Sequence, residues 1–241
     1  MKKIIKITAI LVLFTAFFTS CVVNTGVNGN GEVITDSRAI STEVTNIEVS
    51  KAIEVKITQG DVAKLEVNAD SNILQYIETS IDGNTLDIDI KDNSNLDQFQ
   101  ATVYVTLPNI YQITTSSAST VKGKNTIITK ELTLKASSSS RIELAIETEQ
   151  LTVDTSSASE VILSGKAINT QYESSSSSSI KAGKLQANHV IARSSSASDI
   201  ACYPIINLDA KASSSGTVSF WNNPKYIKKE ESSAGTVSQN K

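Results

Sequence analysis

Ser116-Ser117-Ala118-Ser119-Thr120-Val121, Ser137-Ser138-Ser139-Ser140-Arg141-Ile142 and Ser156-Ser157-Ala158-Ser159-Glu160-Val161 begin a series that decides the fold. Ser175-Ser176-Ser177-Ser178-Ser179-Ile180, Ser195-Ser196-Ala197-Ser198-Asp199-Ile200, Ser213-Ser214-Ser215-Gly216-Thr217-Val218 and Ser232-Ser233-Ala234-Gly235-Thr236-Val237 continue it. The first serines of the blocks stand 21, 19, 19, 20, 18 and 19 residues apart. Alternating apolar runs precede most blocks, as in Leu132/Leu134, Leu151/Val153, Val190/Ala192 and Leu208/Ala210. A strand signature recurring at such a period is the pattern of a solenoid, whose single unit cannot bury its own apolar face. Coils of this length suit a parallel β-helix with turns paired about 4.8 Å apart. The expectation for 113–241 is a serine-rich β-solenoid of 19–20-residue coils with a C-terminal cap.

Two placements of the serines fit the alternation. If the strand runs straight through the block, Ser157 and Ser159 point inward and stack with their equivalents as a hydroxyl ladder. If the chain turns a corner there, the serines cap backbone groups at the bend.

The stretch 45–112 is also β-structure. Ile47/Val49, Ile53/Val55/Ile57 and Leu65/Val67 alternate with period two, and Gly60-Asp61 separates the last two runs. Ile77/Thr79/Ile81 and Leu86/Ile88/Ile90 flank Asp82-Gly83-Asn84, a hairpin signal, and Val103/Val105/Leu107 alternate before Pro108. Helical periodicity is confined to Ser71 to Ile77. The whole chain reads as all-β.

Residues 1–20 read as a leader, with Lys2, Lys3 and Lys6 before the apolar run Ile7 to Phe18. That run is shorter than the roughly 20 residues needed to span a bilayer. It ends at Phe18-Thr19-Ser20-Cys21, which resembles a bacterial lipobox and makes Cys21 the expected acylation site, with membrane contact through the lipid anchor. Residues 21–44, rich in Gly and Asn up to Gly31, read as a tether.

Composition excludes other classes. Two Cys cannot build a disulfide-dense scaffold or a four-ligand thiolate zinc site. A net charge of -3 without basic clusters argues against a nucleic-acid partner. No cofactor motif is present; the Gly-rich stretch 26–31 lacks the Gly-Lys-Ser/Thr of a phosphate loop.

The lipobox, Ile53-Glu54-Val55-Lys56-Ile57-Thr58-Gln59-Gly60, Asp82-Gly83-Asn84-Thr85-Leu86, Val103-Tyr104-Val105-Thr106-Leu107-Pro108 and the recurring Ser-Ser-Ala-Ser blocks together resemble the head GIN domain family. The resemblance covers roughly residues 45 to 237 and includes Asn222-Asn223-Pro224-Lys225. It implies a right-handed parallel β-helix, or a closely related solenoid, in a bacterial envelope protein of autotransporter-adhesin type. It brings no binding or catalytic residues, and the family's block glycines are here mostly serine or alanine until Gly216 and Gly235.

Catalytic residues are not expected. His189 is the single histidine, and no Gly-x-Ser-x-Gly elbow accompanies it. Ser119-x-x-Lys122 and Ser178-x-x-Lys181 match an acyl-serine pattern without its companion motifs. Asp87, Asp89, Asp92 and Asp97 are acidic enough to suggest Ca²⁺, but Asp87 and Asp89 alternate with Leu86, Ile88 and Ile90 as the wet face of a strand does. A polysaccharide lyase on the same scaffold needs basic and acidic residues together, whereas Lys135, Arg141, Lys166 and Arg193 read as scattered repeat positions. Phe220, Trp221 and Tyr226 are the candidate binding residues, as a sugar-stacking platform, or else a hydrophobic cap over the last coils. The expected function is therefore a non-enzymatic, lipid-anchored envelope protein, most simply an outer-membrane lipoprotein, whose solenoid binds a glycan or an envelope protein. A periplasm-facing scaffold, a water-ordering serine array and a β-helix carbohydrate-active enzyme stand as alternatives.

Overall fold

A computed structural model describes residues 26–240, so Cys21 and the leader lie outside the described residues. The serine blocks are corners. Their second and third residues all take left-handed φ of 47–62°, as at Ser157 (53°) and Ala158 (61°). Two consecutive left-handed residues make a tight turn of the type I′ kind. The fourth-position amide closes each on the first-position carbonyl at 2.8–3.3 Å. The second serine consequently points to solvent and the fourth points into the core. Of the two placements open from sequence, the structure takes the corner: Ser157 is exposed, and the inward fourth serines bond to backbone carbonyls and not to their equivalents in neighbouring coils.

An L-residue in the left-handed region costs roughly 1–2 kcal/mol, and stacking offsets it. Each third-position amide donates forward to the next corner's second-position carbonyl, as Ala158 does to Ser176 at 3.0 Å. The amides on either side donate backward, Ser156 to Ala136 at 3.0 Å and Glu160 to Ser140 at 2.9 Å. The fourth serine then satisfies carbonyls left inside the corner. Ser119 Oγ donates to the Val49 and Ser116 carbonyls, Ser140 Oγ to Thr115, Ser159 Oγ to Ala136 and Ser198 Oγ to Ser174. Thr155, Ser174 and Ser178 join hydroxyl to hydroxyl at 2.9–3.0 Å. In the last two corners Gly216 and Gly235 replace that serine because the previous coil comes too close. A Cβ at Gly216 would sit 2.7 Å from the Ser194 backbone and Oγ.

Ser50-Lys51-Ala52-Ile53 forms a further corner beneath the serine series, with Lys51 and Ala52 at φ 52° and 60° and the Ala52 amide donating to Ser117 O. Lacking the serine signature, it is invisible as a repeat in the sequence.

The strands in chain order are β1 (Val27–Asn28), β2 (Val33–Arg38), β3 (Asn46–Val49), β4 (Glu54–Gln59), β5 (Lys64–Asp70), β6 (Ile77–Asp82), β7 (Thr85–Ile90), β8 (Leu96–Asp97), β9 (Ala101–Leu107) and β10 (Gln112–Thr115). The long coils follow: β11 (Thr120–Ala136), β12 (Arg141–Thr155), β13 (Glu160–Ser174), β14 (Ser179–Ser194) and β15 (Asp199–Ala212), then β16 (Thr217–Phe220), β17 (Tyr226–Glu231) and β18 (Thr236–Gln239). From β10 onward every pairing is parallel, giving a solenoid of about seven turns with coils near 19 residues. The helical periodicity at Ser71 to Ile77 yields only one 3-10 turn, Leu74–Tyr76.

At the N-terminal end the parallel ladder gives way to antiparallel strands. β7 and β9 lie parallel beneath β3 and β4, and β6, β5 and β2 then pair antiparallel and cover the stack. The residues read as a tether contribute β1 and β2. Asp70, 2% exposed, accepts the Gly31 amide at 2.9 Å and the Gln100 amide at 2.8 Å, and a Cβ at Gly29 would strike its carboxylate. Glycine there serves a close docking contact.

The core is a thin aliphatic column. In β12, Ile142, Leu144, Ile146, Leu151 and Val153 are buried, and the alternation changes phase at the exposed pair Glu149-Gln150, where the chain bends. Tyr172 is the one bulky aromatic within the middle coils. Its register partners in the next two coils are Ala192 and Ala210, which leave it room. Its hydroxyl has no partner among the described residues, and burial drives its pKa far above the usual tyrosine value. Cys202 is a buried free thiol, pushed up to about 12 by the same cause.

Two substitutions in one corner separate strain from hydrogen bonding. Ala158→Gly relieves a left-handed alanine and is expected to raise the unfolding free energy by up to about 1 kcal/mol. Ser159→Ala removes the bond to Ala136 O and is expected to lower it by about 1 kcal/mol. Urea unfolding followed by far-UV circular dichroism measures both.

Candidate functional site

The outer side of the strands after the corners has most of its charges spent on one another. Glu54 pairs with Lys122 at 2.9 Å and Lys56 at 3.5 Å, while Arg141 and Lys181 both pair with Glu160. The Ser-x-x-Lys patterns break up here. Ser119 and Ser178 are buried inside the coil, whereas Lys122 and Lys181 face outward, so neither makes a dyad.

The strand before each corner presents a different surface. Parallel register aligns Lys135, Asp154, Glu173, Arg193 and Lys211 in one outward column. Beside it run the first serines of the blocks, and past these the corner projects. The result is an open trench of about 700 Å³, walled by that charged column and floored by Ser137, Ser156, Ser175, Ser195 and Ser213. The serines stand on successive rungs over about 19 Å at 4.8 Å per strand. Their amides are committed to the coil before, and their Oγ atoms meet no partner among the described residues. Within one four-residue block, the fourth hydroxyl is consumed by the fold and the first is left to solvent.

The column also corrects the reading of Lys135 and Arg193 as non-equivalent positions. Both lie two residues before a block, on the same line as Asp154 and Glu173. That offset is constant in the sequence when counted from the blocks, and parallel pairing turns it into one column. Arg193 is held by the Asp209 carboxylate at 3.0 Å and its carbonyl at 2.9 Å, and Lys211 pairs with Glu230 at 3.6 Å. Gln171 steadies Glu173 at 2.9 Å. Burial, and then the Glu173 carboxylate one coil on, hold the Asp154 pKa above the usual aspartate value against the pull of Lys135. The middle of the trench is thus acidic; the Arg193 and Lys211 end is neutralised by Asp209 and Glu230, while Lys135 at the other end has no ion-pair partner among the described residues.

Phe220, Trp221 and Tyr226 are not brought onto one surface. Phe220 is 0% exposed in the core, with Lys229 Nζ 4.8 Å from its ring centre. Trp221 is half-buried against Gly183. Tyr226 is 68% exposed and lines a separate cleft of about 640 Å³ with His189, Asn207 and Lys225. The open end of the stack is closed by charge: in register with Ala210 and Ala212, Lys229 donates to Val237 O at 3.4 Å and Glu231 accepts the Val237 amide at 2.5 Å.

The aspartates divide. Lys51 lies between Asp92 at 2.8 Å and Asp89 at 2.9 Å, which raise its pKa to about 12, while Asp97 sits apart on β8. Among the described residues no group of three or more His, Cys, Asp or Glu is placed to hold a metal.

The family model described as "Putative auto-transporter adhesin, head GIN domain" matches residues 43–224. Among solved structures, a "putative adhesin" from Bacteroides fragilis is similar at 21% identity and TM-score 0.83, covering 89% of this chain and all of that one. A "putative adhesin" from Parabacteroides merdae gives 18% and 0.73, and a "putative lipid binding protein" from Parabacteroides distasonis 20% and 0.72. Each covers 90% of this chain and all of its own. These likenesses concern the fold. No curated protein matches.

The carboxylate geometry sets a pH test. Because the folded pKa of Asp154 lies above its unfolded value, the ionised side chain costs stability at neutral pH, and the cost vanishes below the unfolded value of about 3.9. Asp154→Asn is therefore expected to melt above the wild type at pH 7, with the difference gone near pH 3. Thermal denaturation at the two pH values reads this out.

Proposed function

This chain belongs to the family of the putative auto-transporter adhesin, head GIN domain, and from that premise we propose that it is a non-enzymatic, lipid-anchored envelope protein that binds through its serine trench. The single observation carrying the reading is the line of first-position serines, whose hydroxyls have no partner among the described residues and repeat on every rung.

An outer-membrane lipoprotein acylated at Cys21 would carry the stack with its antiparallel end toward the membrane, since the described chain enters there at Gly26. The trench and the Tyr226 cleft would then lie away from the lipid. A lyase acting on uronates suits the trench poorly, because Asp154 and Glu173 on adjacent rungs repel a substrate carboxylate. A water-ordering array suits it poorly too, since the first-position serines lie half-buried in a trench and the second-position serines run along a corner, neither row forming a flat face.

Intact cells expressing the chain are expected to label with an antibody to the solenoid, and Cys21→Ala is expected to shift the protein from the membrane to the soluble fraction. Labelling only after permeabilisation would sink the surface-adhesin reading. A Cys21→Ala protein that stays in the membrane would sink the anchor.

A further inference from the structure

We propose that the trench holds a linear, uncharged glycan laid along the solenoid axis, with Ser156 and Ser175 meeting successive sugar units and Asp154 and Glu173 accepting their hydroxyl hydrogens. The inference rests on the trench being the contact surface and goes further by naming the class of ligand.

Periodicity carries the first part of the argument. The floor offers the same hydroxyl once per strand, about 4.8 Å apart, so a ligand that uses the whole floor must itself repeat along the axis. An extended peptide presents one face every second residue, about 6.6 Å apart, and falls out of step within two rungs. Each ring of a linear polysaccharide carries hydroxyls around its whole edge, so successive rings offer one to the floor whichever way they are turned, and these hydroxyls, like serine, both donate and accept.

Charge carries the second. At the centre of the trench two carboxylates lie on adjacent rungs, Arg193 and Lys211 toward one end are engaged by Asp209 and Glu230, and the cation at the other end, Lys135, stands in register beside Asp154. A polyanion, whether nucleic acid or polyuronate, would set its charges against that centre. Neutral hydroxyls would instead donate to it, and hydrogen bonds to an ionised acceptor are roughly twice as strong as neutral ones. The open trench also admits a chain longer than the site, as a polymer requires.

Native affinity gels cast with barley β-glucan, xylan or hydroxyethylcellulose, beside one cast with polygalacturonate, test this on the detergent-solubilised full chain. At least one neutral polymer is expected to retard the wild type and polygalacturonate is not. Ser156→Leu with Ser175→Leu, which fill the floor at outward positions, are expected to weaken retardation at least tenfold, and Asp154→Asn to weaken it less. Ser157→Asn, on the exposed corner outside the trench, is expected to bind as wild type. The emission of the single tryptophan, Trp221, checks that each variant is folded.

No retardation by any neutral polymer, stronger retardation by polygalacturonate, or unchanged binding by the floor variants would each overturn the glycan assignment. Adhesion of whole cells then tells this failure from that of the wider reading. If the floor variants lose adhesion while no glycan binds, the partner is a protein and the trench is still the contact surface. If adhesion is unchanged by them, the trench reading falls as well.

Discussion

The corner hydrogen bonds are the constraint on which the rest of the molecule depends. Two adjacent left-handed residues recur at the same place in each serine coil, none of them glycine. In isolation such turns select Asn-Gly. Here they are held by the forward donation from each third-position amide to the next corner, a bond that exists only when coils are stacked. Local geometry and global architecture therefore stabilise each other: without neighbours the turn is strained, and without the turn the strands lose their common register.

That register creates the candidate site. Once corners stack, every position relative to the corner becomes a column, and residues far apart in sequence become neighbours. The block's serines divide by column. The fourth faces inward and bonds to carbonyls of its own corner and the coil before, the second lies exposed on the edge, and the first lines the trench. One residue type in one short motif thus serves closure, edge and contact surface, and only orientation separates the roles.

The two ends show how an open stack is finished. At the start, antiparallel strands cover the first parallel rungs, and Asp70 fastens the incoming segment through two amides. At the finish, Lys229 and Glu231 occupy what would be core columns and bind the last strand. Inward charges on an edge strand discourage pairing with another molecule. The aromatic residues nearby contribute little to that closure: Phe220 belongs to the core, and Tyr226 points to solvent.

The sequence by itself determined the all-β class, the solenoid, the coil length and the block positions, because a period near 19 and an alternation of two are carried directly by residue order. It also located the hairpin at Gly83. Tertiary structure alone decided which serine faces where, since a straight strand and a corner fit the same alternation and left-handed φ leaves no mark on Ser or Ala. It alone revealed the corner at Lys51-Ala52, which has the geometry without the serines, and the docking of Gly29 and Gly31 on Asp70. It alone assembled Lys135, Asp154, Glu173 and Arg193 into one wall. Their common place two residues before a block can be counted in the sequence, but only parallel pairing from coil to coil shows that this place faces outward and that its side chains stack into one column.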